Sequence, residues 1–65
     1  MTILLKVREV IKRLEAEEWV FARQKASHRT FKKAGVAAII TVSGIDSKDV
    51  SPGQLQDIRR KAGWQ

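Results

Sequence analysis

The chain has 65 residues, 43% of them hydrophobic and 31% charged, with a formal net charge of +6. That length allows one domain, residues 1–65, near the lower limit for a self-sufficient core, and the composition fits a folded chain rather than a disordered one. The lack of cysteine excludes disulfides and thiolate metal sites, one histidine makes a zinc site an unlikely fit, and no apolar run approaches the ~20 residues that span a bilayer.

Met1 to Leu5 is too short for the core of a signal peptide, so a cytoplasmic protein is expected, without membrane, metal or other cofactor. Val7, Val10, Ile11 and Leu14 then recur at i, i+3, i+4 and i+7, the stripe of an amphipathic helix placed at about residues 6–17. Arg8, Glu9, Lys12, Arg13 and Glu15 fall mostly on its other side, with Glu9 and Arg13 ordered for an i,i+4 pair. Glu17 and Glu18 read as a solvated helix end.

After Glu18 the period changes from 3.6 to 2. Trp19, Phe21, Arg23 and Lys25 would share one face of a first strand, and Ala26-Ser27 forms a tight connection. In a second strand, His28, Thr30 and Lys32 share a face, opposed by Arg29, Phe31 and Lys33. Trp19 and Phe21 could stack bases but, as the first strand residues after an amphipathic helix, read as core, and Phe31 reads as core too. Ala34-Gly35 is the next turn, and the apolar, β-branched run Val36 to Val42 predicts a well-buried third strand. Connections this short make the sheet an antiparallel meander. Ser43 to Val50 is a polar loop. Ser51, Pro52 and Gln54 suit the N-cap, first turn and capping box of a second helix. Leu55, Ile58 and Ala62 would face the core, and Gly63 would end the helix. Trp64 is open between a helix-end contact and a partner surface. The expected class is α+β in the order α-β-β-β-α, with two helices on one face of a three-stranded antiparallel sheet.

Charge is concentrated in the middle of this plan. Residues 19–42 hold Arg23, Lys25, Arg29, Lys32 and Lys33 and no acid, whereas the segments on either side are nearly balanced. The only histidine, His28, lies inside the basic stretch. Cations without interleaved acids suit a polymer of phosphates, although lysines also blunt sheet edges. Imidazole is the side chain that exchanges protons near neutral pH. RNA carries its own nucleophile, the 2′-hydroxyl, so a minimal nuclease needs a proton acceptor, a proton donor and cations around the phosphate. His28 could be acid, base or both. Arg23, Lys25, Arg29 and Lys32 could hold phosphate oxygens, and Ser27 could donate a hydrogen bond or shape the turn. No second acid–base group lies in the hairpin, which predicts modest turnover or help from a lysine, water or the first helix.

The ordered set Trp19, Arg23, Ala26, Ser27, His28 and Phe31, with Lys6-Val7-Arg8-Glu9-Val10-Ile11 before it and Pro52-Gly53-Gln54-Leu55 and Lys61-Ala62-Gly63 after it, resembles the HicA toxins. The resemblance covers nearly the whole chain. It implies a fold of the double-stranded-RNA-binding-domain type, an mRNA interferase that depends on His28 and needs no ribosome, and a HicB antitoxin as partner. A homo-oligomer or a toxin–antitoxin hetero-oligomer would add stability to so small a core. The chain departs from the family at Ala26, where glycine is usual, and at Glu17-Glu18, where Asp-Gly or Asn-Gly commonly precedes the tryptophan. The loop around Ser43 also lacks the proline often found after the third strand. A non-catalytic RNA-binding module of the same fold is the alternative, and a pure protein-interaction subunit a third possibility.

Overall fold

A computed structural model describes residues 5–64 of the chain, so most of the apolar start, Met1 to Leu5, lies outside the described residues. The first helix, α1, spans Val7–Ala16 and buries Val7, Val10, Ile11 and Leu14, the stripe expected from its period. It begins without a Ser, Thr, Asp or Asn N-cap. Instead the backbone N–H of Lys6 donates to Oε1 of Glu9 at 3.0 Å, satisfying one donor left unpaired at the helix start. This contact replaces the expected Glu9–Arg13 pair. Arg13 donates from Nε to Oε2 of Glu17 at 3.2 Å, one turn further on.

The end of α1 reverses on Glu18, which has φ 71°. The N–H of Glu18 donates to the Glu15 carbonyl at 3.1 Å, and that of Trp19 to the Leu14 carbonyl at 2.9 Å. These are the two bonds of a Schellman motif, with buried Trp19 and Leu14 at the positions of its hydrophobic contact.

Three strands follow: β1 (Val20–Lys25), β2 (His28–Lys32) and β3 (Ile40–Ser43), antiparallel and in spatial order β1-β2-β3. The register pairs Phe21 with Phe31, Arg23 with Thr30 and Lys25 with His28, so Ala22 is an extra residue in a bulge. Residues either side of the bulge no longer alternate as a regular strand would. Phe21 therefore lies on the helix side of the sheet with Phe31, while Arg23 and Lys25 lie on the other. Phe21 meets Phe31 edge to face, with centroids 6.1 Å apart, but on an edge strand it stays 45% exposed rather than joining the core.

β3 is shorter than its apolar run suggested. Residues 36–39 have no ladder, and Val36 and Ile39 are exposed. The β2–β3 ladder stops at Phe31 opposite Ile40, and Lys32, the last residue of β2, pairs only with Val20 of β1. The core is built from Phe31, Ile40 and Val42 of the sheet against α1, Trp19, Val50, Ile58 and Trp64.

The second helix, α2, spans Pro52–Ala62, with the Ser51 hydroxyl accepting from the Gln54 N–H at 3.4 Å. The other half of the expected capping box is not formed, because the Gln54 side chain turns to β3. Ile58 is buried, and Leu55 and Ala62 pack against the core from partly buried positions. Gly63 has φ 76°, and the Trp64 N–H donates to the Arg59 carbonyl at 2.7 Å. Both helices thus end in a left-handed residue followed by a buried tryptophan. The fold is α+β in the order α-β-β-β-α, as read from the periodicity.

Trp64 joins the two helix ends. Its indole N–H donates to Oε1 of Glu17 at 2.6 Å, and the Arg13 guanidinium lies 4.2 Å from its ring centroid. Glu17 is therefore a structural acceptor rather than a solvated helix end. The Trp64 hydrogen bond, followed by Arg13, holds its carboxyl below the ordinary 4.5 against the opposing effect of burial. A lowered folded-state pKa contributes stability that is fully present above 4.5 and is lost as pH falls through the folded value. Glu17→Gln is thus expected to be less stable than wild type at neutral pH. The gap should close well below 4.5, as urea unfolding at the two pH values would show.

Candidate functional site

Because β2 is bonded on both sides, its register fixes which side chains stand together on the face away from the helices. Lys25, His28 and Ser43 form one row across the sheet, and Arg23, Thr30 and Thr41 form the next. Lys32, opposite Val20, follows at the far end. Rows along a strand lie about 6.6 Å apart and columns about 4.8 Å apart. Arg23, Lys25, His28 and Lys32 are exposed on this open face. Among the described residues none of the three cations has an ion-pair partner, and the paired positions of the open face present no carboxylate. Thr30 is almost covered, with its hydroxyl 3.5 Å from that of Thr41.

His28 is fixed through Nδ1, which lies 2.9 Å from the Ser43 hydroxyl. Ser43 is in turn held by α2, since its N–H donates to Oε1 of Gln54 at 2.9 Å. The next residue, Gly44, donates to the Ser27 carbonyl at 3.2 Å, tying the end of β3 to the hairpin turn. Ser27 therefore sits in the connection immediately before His28.

Of the four cations assigned to phosphate from the sequence, Arg29 alone is on the other side. It alternates with His28 along β2, stands opposite Val42 and forms an ion pair with Asp46. Its Nε is enclosed without an acceptor. Around it, Arg8 and Lys12 share a shallow groove with Glu9, Glu15 and Asp46, so that surface is close to neutral. Ser43 and Gln54 carry the opposite lesson. They are part of the centre, yet the sequence showed Ser43 only as the start of a loop and Gln54 only as a cap. Their roles depend on the register of β3 and on how α2 docks.

The turn into His28 has two central residues, and only the first of them, Ala26, has a positive φ, 54°. That pattern belongs to a type II′ turn, where glycine is preferred at this position. The Gln24 side chain donates to the Ala26 carbonyl at 2.9 Å and braces it.

A family model described as HicA toxin of bacterial toxin-antitoxin matches residues 7–64, from the first residue of α1 to the tryptophan after α2. No curated protein matches the chain.

Among the described residues, Glu18 and Ala26 are the non-glycine residues with a positive φ, 71° and 54°, a region that favours glycine. Glu18→Gly and Ala26→Gly are each expected to stabilise the fold by about 1 kcal/mol, or roughly 4–8 °C in Tm. Thermal unfolding of the two variants checks this; a loss of stability in either would contradict the strain assigned there.

Proposed function

The chain belongs to the HicA toxin family of bacterial toxin–antitoxin systems, and on that premise we propose that it is an mRNA endoribonuclease whose catalytic residue is His28. The observation that carries the reading is the sorting of side chains by the sheet: the histidine and three unpaired cations share one open face free of carboxylates. An RNA strand lying across that face would place phosphates on Arg23, Lys25 and Lys32, with Ser27 at the turn beside His28. Three strands span only about 10 Å, room for a single strand rather than for both grooves of a duplex. The aromatic rings Phe21 and Phe31 lie on the helix side, so contacts run to phosphate and sugar rather than through base stacking. Low sequence preference follows.

In the proposed reaction the imidazole of His28 takes the proton of a 2′-hydroxyl and the 2′-oxygen attacks the adjacent phosphorus. The bond from phosphorus to the 5′-oxygen breaks, and the imidazolium returns its proton to that oxygen. The products are a 2′,3′-cyclic phosphate and a 5′-hydroxyl end. Lys25, directly across from His28, stabilises the charge that develops on the phosphoryl oxygens. The nucleophile comes from the substrate, so the step requires no metal-bound water. One group performs both proton transfers in turn, which limits turnover. Membership of the family implies an antitoxin partner. We propose that it is of the HicB type, forms a hetero-oligomer with this chain and lays an acidic surface over the open face. Among the described residues no helix is long and apolar enough to cross a membrane, and mRNA as substrate places the activity in the cytoplasm.

Purified wild-type protein is expected to cut RNA in the presence of excess chelator. His28→Ala should abolish cleavage while changing RNA affinity by no more than about twofold. Binding of both without cleavage by either would instead identify a non-catalytic RNA-binding module. The salt dependence of RNA binding tests the surface. Arg23→Ala, Lys25→Ala and Lys32→Ala should each reduce the slope of log K against log salt by about 0.7. Arg29→Ala should leave that slope unchanged, because its charge lies on the helix side.

A further inference from the structure

His28 and Ser43 are directly opposite each other in the β2–β3 ladder, and their contact at 2.9 Å involves Nδ1, while Nε2 has no protein partner among the described residues. Ser43 is not free to turn its backbone away, because Gln54 at the capped start of α2 holds its N–H. We propose that Ser43 is a positioning residue: its hydroxyl accepts a hydrogen bond from Nδ1–H of His28, so that Nε2 is the ring nitrogen that exchanges protons with RNA.

A neutral imidazole has one N–H and one lone pair. If the Ser43 hydroxyl donated to Nδ1, the ring proton would sit on Nε2. Both nitrogens would then be engaged, and no lone pair would remain to take the 2′-hydroxyl proton. If Ser43 accepts from Nδ1–H, the lone pair of Nε2 is available to the substrate. When Nε2 takes up the proton, Nδ1–H is still present and the same hydrogen bond persists. When Nε2 gives the proton to the 5′-oxygen, the starting tautomer is restored. One hydroxyl orientation therefore serves the whole cycle, which suits a site with a single acid–base group.

The choice of a hydroxyl also fits the surface. A carboxylate at position 43 could orient the ring equally well, but it would bring a negative charge to the face that receives phosphate. The charged neighbours of His28 on that face are Lys25 in the same row and Arg23 in the next, and Ser43 adds no charge to them.

The purpose of this arrangement rests on the nuclease reading, but the tautomer can be measured without it. The chain has one histidine, so long-range proton–nitrogen spectra of untagged, histidine-labelled protein report on His28 alone. With the ring neutral, wild type is expected to show a protonated Nδ1 and a bare Nε2. Ser43→Ala should move the proton towards Nε2 and slow RNA cleavage on the order of tenfold at unchanged RNA affinity. Ser43→Thr, which keeps a hydroxyl, should retain both the tautomer and the activity. A neutral wild-type ring protonated on Nε2, or a tautomer unmoved in Ser43→Ala, would overturn the proposal. A chain that shows the expected tautomer and its loss in Ser43→Ala but cuts no RNA supports the role of Ser43 in orienting the ring and overturns the nuclease reading alone.

Discussion

The central constraint is the pairing of β2 on both of its edges. Side chains on a strand alternate between faces, and pairing with two neighbours extends that alternation across the sheet. Phe31 is sent to the helices with Ile40 beside it, and Arg29 stands on the same side next to Val42. His28, Thr30 and Lys32 are sent to the open face, where Lys25, Arg23, Ser43 and Thr41 join them. A slip of one residue would exchange the two sets, burying lysine and exposing phenylalanine. The packing of the core therefore also determines the chemistry of the surface.

A chain this short has little core to spend on errors, and its two helix ends show how the core is closed without disulfides. Each helix stops in a left-handed residue and delivers a tryptophan to the interior, Trp19 after α1 and Trp64 after α2. The second turn is made by Gly63, whereas the first is made by Glu18, whose side chain disfavours that backbone. Trp64 then returns to α1 through Glu17 and Arg13. This contact ties the end of α2 to the end of α1. The opposite end of α2 is tied to the site through Gln54 and Ser43.

Much of this was legible in order and period. The stripe of α1, the Ser51 N-cap of α2 and the alternation within β2 are local signals, and each appears in the structure where its residues put it. The failures are of another kind. The bulge at Ala22 changes which side chains of β1 stand together, and nothing in Phe21-Ala22-Arg23 announces it. The apolar run from Val36 gives no sign of where pairing begins, because the ladder starts only at Ile40, opposite Phe31. Charge alone groups Arg29 with the binding cations, although its alternation with His28 along β2 separates it from them. Ser43, Gln54 and the Glu17–Trp64 contact join residues far apart in the chain. Only docking of the elements brings them together.

The face that meets RNA is the central question. The most direct measurement is a backbone and side-chain chemical-shift titration of the protein with a single-stranded oligonucleotide that lacks the 2′-hydroxyl and so is bound without being cut. Shifts concentrated on Arg23, Lys25, His28, Thr30, Lys32, Thr41 and Ser43, with Arg8, Lys12, Arg29 and Asp46 unmoved, are the predicted result. Shifts that map instead to α1, the groove at Arg29 or the start of α2 would contradict the assignment of the open sheet face as the site.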